Sequence, residues 1–200
     1  MRDEFVQAVF TAFERRSTEP GKYEENAWSN EIARVAVEMR QGNFADTNKA
    51  YPGCGEKYDI HVRTATGETL IAESKGAWLS YWLDNGNFGK FKAYLWGCEG
   101  KSAALDIQKL AANAPEHLDW VALIVFGSCR REHDVAQHLD AFAASFRLAV
   151  APWREDRRVI PNRWYPGYSY DVRVWTCRRS DLQAWQESLS AGAPCAVVTI

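Results

Sequence analysis

Apolar residues recur along this chain at spacings that change several times, and each change marks an element. Near the start, Phe5, Val6, Val9, Phe10 and Phe13 fall on one helical face. The preceding Met1-Arg2-Asp3-Glu4 and the polar residues interleaved after it are unlike the apolar run of a signal peptide, so a first helix is expected here. Helical spacing returns in Trp28, Ile32, Val35 and Met39, which form a second buried stripe. Gly42, Pro52, Gly53 and Gly55 give residues 41–56 the chemistry of a loop. From Tyr58 to Thr64 the period drops to two. Ala65 to Gly67 then reads as a turn and Glu68 to Trp78 as a returning strand, so an antiparallel pair is predicted.

Residues 79–100 carry Tyr81, Trp82, Phe88, Phe91, Tyr94 and Trp96 with no readable period. A helix is predicted from Ser102 to Asn113, with Ala103, Ile107, Leu110 and Ala111 turned inward. The branched run Val121 to Phe126, closed by Gly127, has the pattern of a strand buried on both faces. A further helix is expected from His133 to Arg147. After Ala151 the prolines 152, 161 and 166 suggest an irregular segment that holds a strand near Tyr170 to Trp175 and a short helix from Asp181 to Leu189. Together these predict an α/β fold with a mixed sheet flanked by helices. A single domain over residues 1–200 is expected, with a core at about 23–148 and a C-terminal elaboration at about 151–200.

Composition narrows the class. With 46% hydrophobic and 25% charged residues over 200 positions, the chain is ordinary globular protein, long enough to bury a core without staples. The longest apolar run, Trp120 to Phe126, falls far short of the roughly 20 residues a spanning helix needs, so no membrane segment is expected. Cys54, Cys98, Cys129, Cys177 and Cys195 are scattered singly, which suggests reduced thiols in a cytoplasm. The histidines offer only the lone spacing of His133 and His138, so structural zinc is not expected. A net charge of −2 gives no global attraction to nucleic acid, and any such surface must be local.

The chemistry concentrates on the predicted strand pair. Residues two apart in a strand share a face, so Glu73 and Lys75 point the same way, and Asp59 shares its own face with His61 and Arg63. A short turn lets Asp59 and Glu73 meet across the pair. Two converging carboxylates repel unless a cation offsets them, and magnesium, which prefers oxygen ligands, suits that role with Lys75 beside it. A magnesium-activated water and a nearby ammonium are the requirements of phosphodiester hydrolysis.

An acid on one strand, thirteen residues, then Glu-Ser-Lys on the next, after a helix bearing Glu31, resembles the PD-(D/E)XK nuclease superfamily over roughly Trp28 to Phe126. The resemblance implies a restriction-endonuclease-like fold and a metal-dependent nuclease acting on nucleic acid, expected to be DNA. It also implies Asp59 and Glu73 as ligands of Mg2+ or Mn2+, Lys75 as the catalytic lysine and Glu31 as the supporting helix acid. Tyr58 stands where the family's name has proline. A homodimer or a larger protein complex is compatible with this reading, and the alternative is a non-catalytic module of the same fold that binds nucleic acid or a protein partner in a DNA-processing or defence system. A second acid-x-lysine triplet, Glu99-Gly100-Lys101, lacks the strand context.

Plainer readings exist for each candidate. The strand charges could be a solvated face pairing across the ladder, and Glu31 belongs with Glu24, Arg34 and Glu38 to the polar side of a helix. Gln108 and Lys109 could reach the site or face water. From Trp153 to Arg179, seven arginines stand against Glu155, Asp156 and Asp171 among several aromatics. That mixture suits phosphate and base contacts through Arg154, Arg157, Arg158 and Arg163, although the aromatics could equally be core.

Overall fold

The structure, a computed structural model, describes residues 1–17, 25–77, 94–97, 102–130, 135–163 and 166–192. The aromatics Tyr81, Trp82, Phe88 and Phe91, for which the sequence predicts no element, and the Glu99-Gly100-Lys101 triplet lie outside these residues. A six-stranded mixed sheet is flanked by helices on both faces. Its strands are β1 (Phe44–Ala50), β2 (Lys57–Arg63), β3 (Thr69–Gly76), β4 (Trp120–Arg130), β5 (Arg154–Pro161) and β6 (Tyr168–Arg178), in the spatial order β1-β2-β3-β4-β6-β5. Only β3 and β4 run parallel; the other neighbours are antiparallel.

Among the described residues, the helices α1 (Arg2–Arg16), α2 (Glu25–Met39), α3 (Ala103–Asn113), α4 (Ala136–Ser145) and α5 (Leu182–Gly192) form the layers. The stripe Phe5, Val9, Phe13 of α1 and Trp28, Ile32, Val35 of α2 covers one sheet face, against Ile60, Leu70, Ala72, Ile124 and Phe126. Ile107 and Leu110 of α3, Leu139 and Phe142 of α4, and Leu182 and Trp185 of α5 cover the other, against Ile71, Val121, Leu123 and Val125. Alternate residues of β4 thus feed two cores, and that is why its sequence is apolar throughout. A parallel pair cannot be joined by a tight turn, and α3 makes the crossover from β3 to β4.

Two strands correct the sequence-based expectation. Residues 44–50, expected to be loop, form the edge strand β1, and residues 154–161, expected to be irregular, form the opposite edge β5. Most β1 residues are exposed or half-buried, so no buried alternation marks it in the sequence. The C-terminal segment is part of the sheet itself, because β6 pairs with β4 along its whole length, from Trp120↔Arg178 to Arg130↔Tyr168.

Candidate functional site

The site forms where β2 and β3 part. Their ladder runs from Arg63↔Thr69 to Ile60↔Ala72 and ends one residue before Asp59. On the other side, β1 and β2 pair through Thr47↔Ile60 and Lys49↔Tyr58 but skip Asn48, whose φ of 58° is left-handed. Asp59 therefore sits at a fork, and its Oδ2 accepts the backbone N–H of Ser74 at 2.7 Å and lies 3.2 Å from the Ser74 hydroxyl. Ser74 Oγ is in turn 2.9 Å from Ser29 Oγ on α2, which ties the fork to that helix.

Glu73 and Lys75 face the α3 side and are 0% and 3% exposed. Such burial of two charged groups requires partners, and α3 and the loop after β1 provide them. The Tyr51 hydroxyl donates to Glu73 Oε1 at 2.6 Å, and Lys109 Nζ lies 2.8 Å from Oε2. Lys75 Nζ lies 3.2 Å from Asp106 Oδ2, and Lys109 Nζ lies 3.7 Å from Asp106 Oδ1. Asp106 and Lys109 stand three apart on α3, so they present one face to β3. Ser102 fixes the start of that helix, its side chain accepting from the N–H of Leu105.

Burial, followed by the charge of Asp59, pushes the Glu73 carboxyl up to about 9. Burial also raises Asp106 against the opposing pull of Lys75 and Lys109. For Lys109 burial works against the charge, yet Glu73 and Asp106 hold it above the ordinary lysine range. The Glu73 and Lys109 shifts concern one pair, and the burial of Glu73 is the stronger influence. The Tyr51 phenol is driven upward by burial and by Glu73, so it stays a donor.

A cavity of about 750 Å³ opens onto this cluster, lined among others by Asp59, Lys75, Asp106, Gln108, Lys109 and Lys57. A second polar cleft of about 310 Å³ lies on the α2 side, lined by Asn26, Ser29, Asn30, Thr47, Asn48 and Asp59. Asp59 lines both. Glu73 lines neither, because Tyr51 and Lys109 cover it.

Three of the four candidate catalytic residues, Asp59, Glu73 and Lys75, are thus brought into one cluster. Glu31 is not: it pairs with Arg34 at 2.5 Å on α2 and lines neither cavity. His61 turns to Asp46 at 3.5 Å, with burial lowering its proton affinity, and it too is outside both cavities. Asp106, Lys109 and Tyr51 complete the cluster. Helical spacing made Lys109 readable as a candidate; Tyr51, in a turn after an edge strand, gave no signal.

The arginines behave differently. Arg157 binds Asp171 through Nε and Nη2 at 3.1 and 2.7 Å, Arg158 pairs with Glu14 at 2.7 Å and lies over the Phe10 ring, and Arg154 is 3.8 Å from Asp3. Arg163 is exposed just after β5. All four belong to the sheet edge opposite Asp59.

The oxygen-only set of Asp59 and Glu73 suits a hard divalent cation. Glu73 Oε2 is a buried oxygen whose partner is the Lys109 ammonium at 2.8 Å, so a metal would have to share or replace that contact. Among the described residues no group of three or more His, Cys, Asp or Glu is placed to hold a metal, so these two acids would need water or backbone oxygens to complete the shell. No helix among the described residues is long and apolar enough to cross a membrane. Set against known family models, curated proteins and solved structures, the chain finds no match.

Proposed function

We propose that the chain is a metal-dependent nuclease of the PD-(D/E)XK kind, with a restriction-endonuclease-like core from α2 to β4, acting on DNA. The observation that carries the reading is the clustering of Asp59, Glu73 and Lys75 near the β2–β3 fork: Asp59 and Lys75 line a cavity that also holds Lys57 and Lys109, and Glu73 is buried against Lys109. The resemblance spans roughly Trp28 to Phe126, and over that span a helix, the antiparallel β2–β3 pair, a second helix and a parallel strand follow in order, with β1 added at the edge.

Asp59 and Glu73 would hold Mg2+ or Mn2+, which supplies charge neutralisation for a phosphodiester and acidifies water. Lys75, fixed by Asp106, orients the attacking water and stabilises charge that grows on the phosphate as the phosphorus–oxygen bond to the leaving sugar breaks. Lys57 and Lys109 bind the flanking phosphates. The β5 arginines lie four strand spacings from β2, about 19 Å. A duplex, whose turn is about 34 Å, spans that distance, so Arg154, 3.8 Å from Asp3, and the exposed Arg163 serve as outlying phosphate contacts, whereas Arg157 and Arg158 are engaged by Asp171 and Glu14.

A second reading, a non-catalytic module of the same fold, is favoured by one observation: Lys75 and Lys109 already occupy Asp106 and Glu73 internally. Plasmid, linear duplex, single-stranded DNA and RNA incubated with Mg2+ or Mn2+ distinguish the two. The nuclease reading expects cleavage by the wild type and at least about a hundredfold loss in Asp59→Asn, the order seen when a group that stabilises the transition state is removed. Absence of cleavage on every substrate, with intact nucleic-acid binding, would establish the module instead.

A further inference from the structure

We propose that Lys109 is a built-in cation that holds the metal's place at Glu73, so that a divalent ion binds only as Lys109 leaves, and Lys109 sets the metal affinity of the site. The inference rests on the functional reading above, since it concerns the same carboxylate.

Glu73 is fully buried and absent from the cavity wall, whereas Asp59, Lys75, Asp106 and Lys109 all line it. One face of its carboxyl is closed by the Tyr51 hydroxyl and the other by the Lys109 ammonium. Of the two groups that hold the Glu73 carboxyl, Lys109 is the one that also lines the cavity. An ion that reaches Glu73 Oε2 from the cavity has to share or displace the Lys109 contact.

The chemistry of the blocker permits exchange. Lysine carries a compact charge on a flexible stem, and it makes no fixed two-pronged grip on a carboxylate as arginine does. Lys109 has a second carboxylate within reach: Asp106 lies 3.7 Å away, one helical turn back, and it too lines the cavity. An ammonium leaving Glu73 keeps a counter-charge at Asp106 and turns toward the space where a phosphate would sit. Lysine and metal then compete for one carboxyl group, and the empty site stays closed.

The test is Mn2+ titration by calorimetry on the full chain, comparing wild type, Lys109→Met, Lys109→Gln, Lys109→Arg and Lys57→Met. Lys57 lines the same cavity, so its variant reports the general effect of removing one positive charge. Lys109→Met is expected to bind Mn2+ at least about tenfold more tightly, as removal of a competing buried ion pair requires. Lys109→Arg should bind no more tightly than wild type, and Lys57→Met should shift far less than Lys109→Met. Lys109→Gln, which can still hydrogen-bond Glu73, serves in place of Lys109→Met if the latter does not fold by circular dichroism. A wild type that binds Mn2+ with unchanged affinity in Lys109→Met, or an equal gain in Lys57→Met, overturns the inference alone. No Mn2+ binding in wild type or any variant removes the metal reading itself, and the inference with it.

Discussion

The carboxylate of Asp59 and the main-chain N–H of Ser74 are joined at 2.7 Å, so a side chain takes a position in the sheet that a neighbouring strand's carbonyl would ordinarily fill. That bond does structural work at the residue assigned to metal binding, and the two roles separate by substitution. Asp59→Asn keeps an oxygen acceptor for Ser74, whereas Asp59→Ala leaves the N–H unpaired. Urea denaturation should show Asp59→Asn within about 0.5 kcal/mol of wild type and Asp59→Ala destabilised by about 1–3 kcal/mol. Equal destabilisation in both would mean that the Ser74 bond depends on the charge of Asp59.

Glu73 predicts a pH dependence of the metal-free chain. Its folded carboxyl is pushed up to about 9, against an ordinary value of 4.5, by burial and by Asp59. Between those values the folded chain holds the extra proton, so stability declines as pH rises through the window. Glu73→Gln carries no titrating group there. Its stability relative to wild type should therefore increase from about pH 5 to about pH 8 by more than about 1 kcal/mol, read from urea midpoints in the presence of a chelator. Parallel pH profiles for the two proteins would contradict the shift.

Legibility of the fold followed burial. α1 and α2 showed helical periodicity and β2 alternation because each packs one face on a core, and β4 was a plain apolar run because both of its faces are covered. β1 and β5 escaped notice as edge strands, with Phe44 and Val159 about half exposed and charged residues on both sides. The site was legible where chemistry obeyed strand spacing, as at Glu73 and Lys75. It was not legible where tertiary packing decided: nothing local to Tyr51 points to Glu73, 22 positions away. Glu31 shows the reverse, since a helix acid of the right type turned to Arg34, which lies within its own helix.

The arginine edge separates stability from binding. Asp171 is buried and loses its two-pronged partner in Arg157→Ala, although Arg173 Nε remains 3.6 Å away. Thermal or urea unfolding should register a loss of about 1–2 kcal/mol, reduced by that second arginine and by the partial exposure of Arg157. By contrast, Arg154→Ala with Arg163→Ala should leave stability nearly unchanged and lower the slope of log affinity for duplex DNA against log salt by about 2. An unchanged slope would remove these arginines from the nucleic-acid surface.

Underlying the whole account is the claim that Asp59 and Glu73, from two strands, grip one hard cation. The most direct measurement is the anomalous scattering of Mn2+ in a crystal of the chain soaked with that ion. The account predicts a single strong peak at the β2–β3 fork, within coordination distance of a carboxylate oxygen of each residue, with Lys109 turned away from Glu73. A map with no peak there, or with manganese bound elsewhere while Lys109 stays on Glu73, would contradict it.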